Sequence, residues 1–169
     1  MNTLEPFKQI RTFIFDVDGV LTNSDLLVTE DGELLRTVNT RDGLAFKTAI
    51  KQGYNVFIIT GGGSKGVIER FRNLGVKEIY SKVKDKKSKF LELLSDFSIN
   101  ANEVLYMGDD LVDYEVMQAV GLPVCPADAV PEIIKISKYI SPLNGGNGCA
   151  RDVIEKVLKL NNSWFNLES

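Results

Sequence analysis

The sequence predicts an α/β fold: a doubly wound, mainly parallel sheet carrying a β-hairpin. Three observations predict it. Short apolar, β-branched runs alternate with amphipathic segments along nearly the whole chain, the pattern of strands joined by crossover helices. Two of those runs, Phe13-Ile14-Phe15 and Val104–Met107, stop at clusters of acids, and a third ends in glycines. In an open sheet the carboxyl ends of parallel strands converge on one crevice, so these ends are expected to meet there.

The elements follow in order. Thr12–Phe15 reads as a buried strand. Leu26–Thr29 and Glu33–Val38 flank Glu30-Asp31-Gly32, and Asp-Gly between alternating runs signals a hairpin, a flap over about 25–38. Asp42 is expected to cap a helix that runs to Gln52 on an apolar face of Ala45, Phe46, Ala49 and Ile50. Asn55–Thr60 is a second buried strand, Val67–Leu74 a helix stopped by Gly75, and Glu78–Tyr80 a short strand. Lys87–Phe97 places Phe90, Leu91, Leu94 and Phe97 at helical spacing and reads as plain core. Val104–Met107 is a strand, Tyr114–Val120 a helix stopped by Gly121, and Leu122–Cys125 and Tyr139–Ile140 further strands. Arg151–Leu160 is the last helix, and Asn161–Ser169 a polar tail whose Trp164 and Phe165 either cover a neighbouring site or pack on their own chain.

Composition narrows the function. The 169 residues fit a single domain over 1–169, and 44% hydrophobic content is ordinary for a globular core. A net charge of −3, with no basic run interleaved with aromatics, gives no sign of nucleic-acid binding. The apolar runs are far shorter than a membrane span, and Met1–Arg11 lacks the apolar core of a secretory signal, so no membrane partner is expected and the default location is cytoplasmic. Cys125 and Cys149 are too few for a disulfide framework. The chain contains no histidine, which excludes Ser-His-Asp and Cys-His catalysis and every His-liganded metal site. Acid–base work must fall to carboxylates, lysines, tyrosines or water.

The first strand ends in Asp16-Val17-Asp18-Gly19-Val20-Leu21-Thr22. Alone, Asp-x-Asp-Gly is often only a turn. A calcium-binding EF-hand fails on spacing, because Val20 and Leu21 stand where that loop wants an acid or amide and a glycine. At a buried strand end the two acids need compensation, and a hard divalent cation supplies it: Asp-x-Asp offers both a carboxylate and a main-chain carbonyl. Thr60-Gly61-Gly62-Gly63-Ser64 ends a strand before a helix, where unpaired N–H groups suit an anion. Lys86 sits in Lys84-Asp85-Lys86-Lys87, a run that by itself reads as a solvated face. Gly108-Asp109-Asp110, with Asp113, follows an apolar strand as the first motif does. A dinucleotide-binding fold competes poorly, since no glycine-rich turn follows the first strand.

Together, and in this order, the four segments resemble the haloacid dehalogenase superfamily of phosphotransferases, a match that spans nearly the whole chain and implies a Rossmann-like sheet. The resemblance implies that Asp16 is the nucleophile that becomes an aspartyl phosphate. Asp18 would be the general acid that protonates the leaving oxygen and then activates water. Thr60 would bind the transferring phosphoryl with Gly61 and Gly62 beside it, and Lys86 would neutralise it and orient Asp16. Mg2+ would be held by Asp16, the main-chain carbonyl of Asp18, and Asp109, with Asp110 and Asp113 behind them. Phosphate-monoester hydrolysis is among the slowest uncatalysed reactions, with rate enhancements up to ~10²¹, so a metal, a lysine and aimed donors must act jointly.

Many members of that superfamily carry a cap domain. Here Thr22 to Asp42 holds only the hairpin, and Thr60 to Lys86 only a helix and a short strand. Cover must come from a large substrate or another subunit. The hairpin, Asn39-Thr40-Arg41-Asp42-Gly43, Tyr106–Asp113, Pro126–Ala129 and Gly145-Gly146-Asn147-Gly148 resemble one capless family, the 3-deoxy-D-manno-octulosonate 8-phosphate (KDO 8-P) phosphatases. That resemblance implies a hydrolase in lipopolysaccharide precursor synthesis, working as a homotetramer whose subunits cover each other's sites. Arg41 is the candidate for gripping a substrate carboxylate through two bonds. Gly62 and Asn147 stand where many members carry basic residues, which removes charge that could bind an acidic sugar. Phosphatases of nine-carbon sialic-type 9-phosphates share the scaffold and form the alternative; a non-catalytic phosphosugar-binding or assembly subunit is the more distant one.

Overall fold

The structure is a computed structural model and describes residues 4–166. Seven helices and eight strands follow in the order α1 (Glu5–Lys8), β1 (Thr12–Phe15), β2 (Leu27–Val28), β3 (Leu34–Leu35), α2 (Thr40–Lys51), β4 (Asn55–Ile59), α3 (Lys65–Asn73), β5 (Glu78–Tyr80), α4 (Lys86–Phe97), β6 (Val104–Met107), α5 (Tyr114–Ala119), β7 (Leu122–Cys125), α6 (Pro131–Ile136), β8 (Tyr139–Ile140) and α7 (Cys149–Leu160) among the described residues. Six strands form one parallel sheet in the order β5-β4-β1-β6-β7-β8, and β2 and β3 pair antiparallel as the hairpin. This is the predicted doubly wound α/β architecture.

Alternation along β1 builds two cores. Phe13 and Phe15 face α1, α2, α3 and α7, where Phe46 lies 5.0 Å from the Phe15 ring and Phe71 lies 5.3 Å from Phe46. Ile14 faces the other way with Phe57 and Tyr106, against Phe90, Leu93, Val116, Met117 and Ile133 of α4, α5 and α6. All four residues of β1 are buried, as a central parallel strand requires.

Strand order and register place the chemistry. The chain winds from β1 out to β4 and β5, then returns to β6 on the other side of β1, so the switch point lies at the end of β1. Phe15 is level with Ile58 of β4 and Met107 of β6. Asp16 therefore leaves the sheet beside the segments that begin at Thr60 and Gly108.

Several local expectations are corrected. Asn39, not Asp42, caps α2: its side chain accepts the N–H groups of Arg41 and Asp42 at 2.8 and 3.4 Å. Asp42 is instead buried in the first turn, where one carboxylate oxygen accepts the Arg151 N–H at 2.8 Å. Leu91 is 52% exposed, and Leu93 takes the core position beside Phe90. The hairpin strands are only two residues each, with Gly32 at φ +81° in the turn, and Leu27, Val28, Leu34 and Leu35 are all exposed. The short helices α1 and α6 give too little length for a periodic signal. Trp164 packs against its own chain, edge-on to Phe165 at 5.2 Å and beneath the Arg151 guanidinium at 5.4 Å; the tail's residues 167–169 lie outside the described residues. Both cysteines are free and buried, and no described helix is long and apolar enough to cross a membrane.

Candidate active site

A cavity of about 320 Å³ opens at the carboxyl end of β1, lined by Asp16, Asp18, Thr60, Gly61, Gly62, Lys86, Asp109 and Asp110. The turn after β1 is tied down locally. The N–H groups of Val20, Leu21 and Thr22 all reach the Val17 carbonyl, at 3.2, 2.9 and 3.1 Å, and the Thr22 hydroxyl accepts from Gly19 at 3.3 Å. Gly19 has φ +86°, and a Cβ there would lie 1.9 Å from an Asp109 carboxylate oxygen, so only glycine lets the two acid loops approach. The Gly145-Gly146 turn buttresses this loop from behind: a Cβ on Gly145 would fall 2.0 Å from the Gly19 carbonyl, and Gly146 donates to Val20 at 2.9 Å.

Asp16 is 4% exposed; one oxygen accepts the Val17 N–H at 2.7 Å and the other lies 3.0 Å from Lys86 Nζ. Lys86 is the first residue of α4, which Asp85 caps by accepting from Ser88 N–H at 2.9 Å. Its neighbours Lys84 and Lys87 are exposed while Lys86 is buried, so the lysine run is a solvated face everywhere except at this one residue. Asp113, wholly buried, is the hub. It accepts from Lys86 Nζ at 2.8 Å, from the Tyr106 hydroxyl at 2.7 Å and from the Asp109 N–H at 3.1 Å. Tyr106 entered the sequence reading only as the first residue of the family-like segment Tyr106–Asp113, with no role of its own, because a tyrosine inside an apolar strand gives no functional signal. Asp110 is exposed and caps the short turn Leu111–Asp113 through Leu111 N–H at 2.7 Å. Thr60 is buried, and its hydroxyl accepts the Gly62 N–H at 3.1 Å.

The electrostatics favour a cation. Oxygens of Asp16, Asp109 and Asp113 all lie within 4.8 Å of one another. Burial, and then the charge of Asp113, push Asp16 up to about 8, while burial with Asp113 and Asp110 pushes Asp109 up to about 7. For Lys86, burial pulls downward, but Asp16 and Asp113 outweigh it and the net direction is up, so the ammonium is retained. One Asp109 oxygen is buried without a hydrogen-bond partner. An orphaned carboxylate oxygen beside a second carboxylate fits a divalent ion, and all-oxygen donors suit Mg2+. Asp113 has its oxygens engaged by Lys86, Tyr106 and Asp109 N–H, so it fits a supporting place better than a ligand's place.

Two guanidiniums are placed unexpectedly. Arg41 lines a separate groove of about 450 Å³ with Asn147, Arg151 and Lys156, away from the cavity of its own chain. Arg36, which sequence patterns did not single out, grips Asp18 instead: Nε to Oδ1 at 2.6 Å and Nη2 to Oδ2 at 3.2 Å.

The haloacid dehalogenase-like hydrolase family matches residues 72–152. The chain is 38% identical over 151 residues to the 3-deoxy-D-manno-octulosonate 8-phosphate phosphatase KdsC of Escherichia coli strain K12, covering 89% of this chain and 80% of that protein. The crystal structure of the phosphatase of that name from Yersinia pestis superposes with a TM-score of 0.92 at 34% identity, over 95% of this chain and 87% of the other. The Moraxella catarrhalis enzyme, solved in complex with magnesium ion, phosphate ion and a KDO molecule, superposes with a TM-score of 0.91 at 29% identity, over 95% and 92% of the two chains.

Proposed function

This chain belongs to the haloacid dehalogenase-like KDO 8-P phosphatases, and from that premise we propose that it hydrolyses 3-deoxy-D-manno-octulosonate 8-phosphate to the free sugar acid and phosphate. Magnesium is its cofactor, and Asp16, Asp109 and the main-chain carbonyl of Asp18 would hold it. When bound, the ion offsets the clustered negative charge and stabilises charge on the phosphoryl oxygens.

The chain's own residues divide the reaction. A carboxylate oxygen of Asp16 forms a bond to phosphorus as the bond from phosphorus to the sugar oxygen breaks, giving an aspartyl phosphate. Asp18 gives its proton to the departing oxygen. In the second step Asp18 takes a proton from water, whose oxygen bonds to phosphorus while the bond to Asp16 breaks. Lys86, fixed by Asp113, faces Asp16 and neutralises the transferring group; Thr60, Gly61 and Gly62 receive it. Asp110 and Asp113 support the metal ligands. What supports these roles above all is the convergence on one cavity of a buried lysine–aspartate pair and an Asp109 oxygen that lacks a protein partner.

We read residues 1–169 as one domain that assembles as a homotetramer in the cytoplasm and supplies lipopolysaccharide precursor synthesis. Support for assembly comes from the four exposed apolar residues of the paired hairpin strands β2 and β3 and from a cavity open at the carboxyl end of β1. Arg41 lines its own groove, so a grip on the substrate carboxylate falls to the cavity of a neighbouring copy. The test is phosphate release from KDO 8-P and from a nine-carbon 9-phosphate with wild type and Asp16→Asn. Magnesium-dependent release that Asp16→Asn abolishes is expected; undiminished turnover in Asp16→Asn refutes the mechanism, and preference for the nine-carbon ester refutes the substrate.

A further inference from the structure

Asp18 is held from outside its own loop. Its side chain is 39% exposed at the rim of the cavity, and the hydrogen bonds to its carboxylate among the described residues come from Arg36, 18 positions along the chain on the hairpin arm. The guanidinium takes both oxygens in fork geometry and is itself anchored, with Nη1 donating to the Leu34 carbonyl of β3 at 3.2 Å. The Arg36 side chain is 7% exposed and lies over an apolar hollow formed with Val17, Ile58, Val67 and Phe71. Gly62 closes the third side: a Cβ there would sit 3.4 Å from both Arg36 Nη2 and Asp18 Oδ2.

Resting on the phosphatase reading above, we propose that Arg36 is a positioning residue for Asp18, through which the hairpin sets the direction of proton delivery to the leaving oxygen. A rim carboxylate with free side-chain torsions samples many directions, whereas a two-point grip fixes its plane. Each oxygen has a second lone-pair site, so the grip leaves one to carry the proton that passes to the leaving oxygen. Misplacing a reacting group by about 1 Å costs roughly 10² in rate.

The test compares kcat/KM, which reports the first phosphoryl transfer, for two esters in Arg36→Ala and Arg36→Lys. KDO 8-P has an alkyl leaving group that needs the proton; 4-nitrophenyl phosphate leaves as a stable phenolate. Arg36→Ala is expected to lose about 100-fold on the sugar ester through kcat, at least roughly ten times more than on the aryl ester, with Arg36→Lys recovering part of it. Equal losses on both esters, or a loss confined to KM for the sugar acid, would overturn the positioning role. A crystal structure of Arg36→Ala must show the Asp18 carboxylate turned; an unmoved carboxylate overturns the proposal whatever the turnover. Absence of magnesium-dependent turnover in wild type would instead sink the phosphatase reading, leaving the crystallographic arm to judge Arg36.

Discussion

The substitution Asp42→Asn should shift the balance of stability in the variant's favour as the pH rises from 4 to neutral. Asp42 is 1% exposed; one oxygen accepts the Arg151 N–H at 2.8 Å and the other is buried without a hydrogen-bond partner. Burial raises its carboxyl to about 6, against the lowering pulls of the Arg151 N–H and the Arg151 charge. An unfolded aspartate titrates near 3.9, so the folded state holds this proton more tightly by roughly two pH units, or about 3 kcal/mol. The sign follows directly: between about 4 and 6 the folded form binds more protons, so stability falls as pH rises through that window and levels off above it. The introduced amide would keep an acceptor for the Arg151 N–H and carry no charge to bury. Its unpaired NH2 group still costs roughly 1–3 kcal/mol, so the gain at pH 7.5 relative to that at pH 4 is the quantity to compare. Urea unfolding of both proteins at the two pH values and fixed protein concentration reads it. The difference in unfolding free energy should move in favour of the variant by about 2–3 kcal/mol from pH 4 to 7.5. A pH-independent difference would refute the argument.

Three further predictions concern the site and the hairpin. Gly19→Ala forces a Cβ to 1.9 Å from an Asp109 oxygen at φ +86°, so magnesium affinity by titration calorimetry should fall at least roughly tenfold; unchanged affinity would deny Asp109 a ligand's role. Lys86→Met leaves Asp16 and Asp113 without their shared ammonium, and should lower unfolding free energy by about 3–5 kcal/mol in metal-free buffer, with magnesium restoring part of it. Leu27→Asp with Leu35→Asp, cross-strand partners on the exposed hairpin, should reduce the light-scattering mass below that of the proposed homotetramer; an undisturbed mass would place the proposed interface elsewhere.

How much of this was legible in the sequence follows from the range over which each interaction acts. Strands, most helices and the ends where acids cluster are written in short windows, because burial of alternate residues and the punctuation of Gly and Asp are local. The meeting of Asp16, Thr60 and Asp109 was legible too, since parallel strands in one sheet must bring their carboxyl ends together, whereas Lys86 joined them only through the family resemblance. The cap of α2 was misplaced by three residues because Asn39 and Asp42 are equally plausible caps until the chain's path is known. Lys86 looked like its exposed neighbours until α4 turned it inward.

The amino-acid order by itself determined an α/β chemistry of carboxylates and a lysine, with no histidine available and no room for a cap. Only the folded chain decided which acids are buried, which oxygen is left for a cation, that Asp113 anchors rather than reaches, and that Arg36 rather than Arg41 stands beside Asp18. The reason is physical. Periodicity and spacing report each residue's neighbours along the chain, whereas charge, desolvation and hydrogen-bond geometry depend on neighbours that strand order and loop closure bring from 18 to more than 100 positions away.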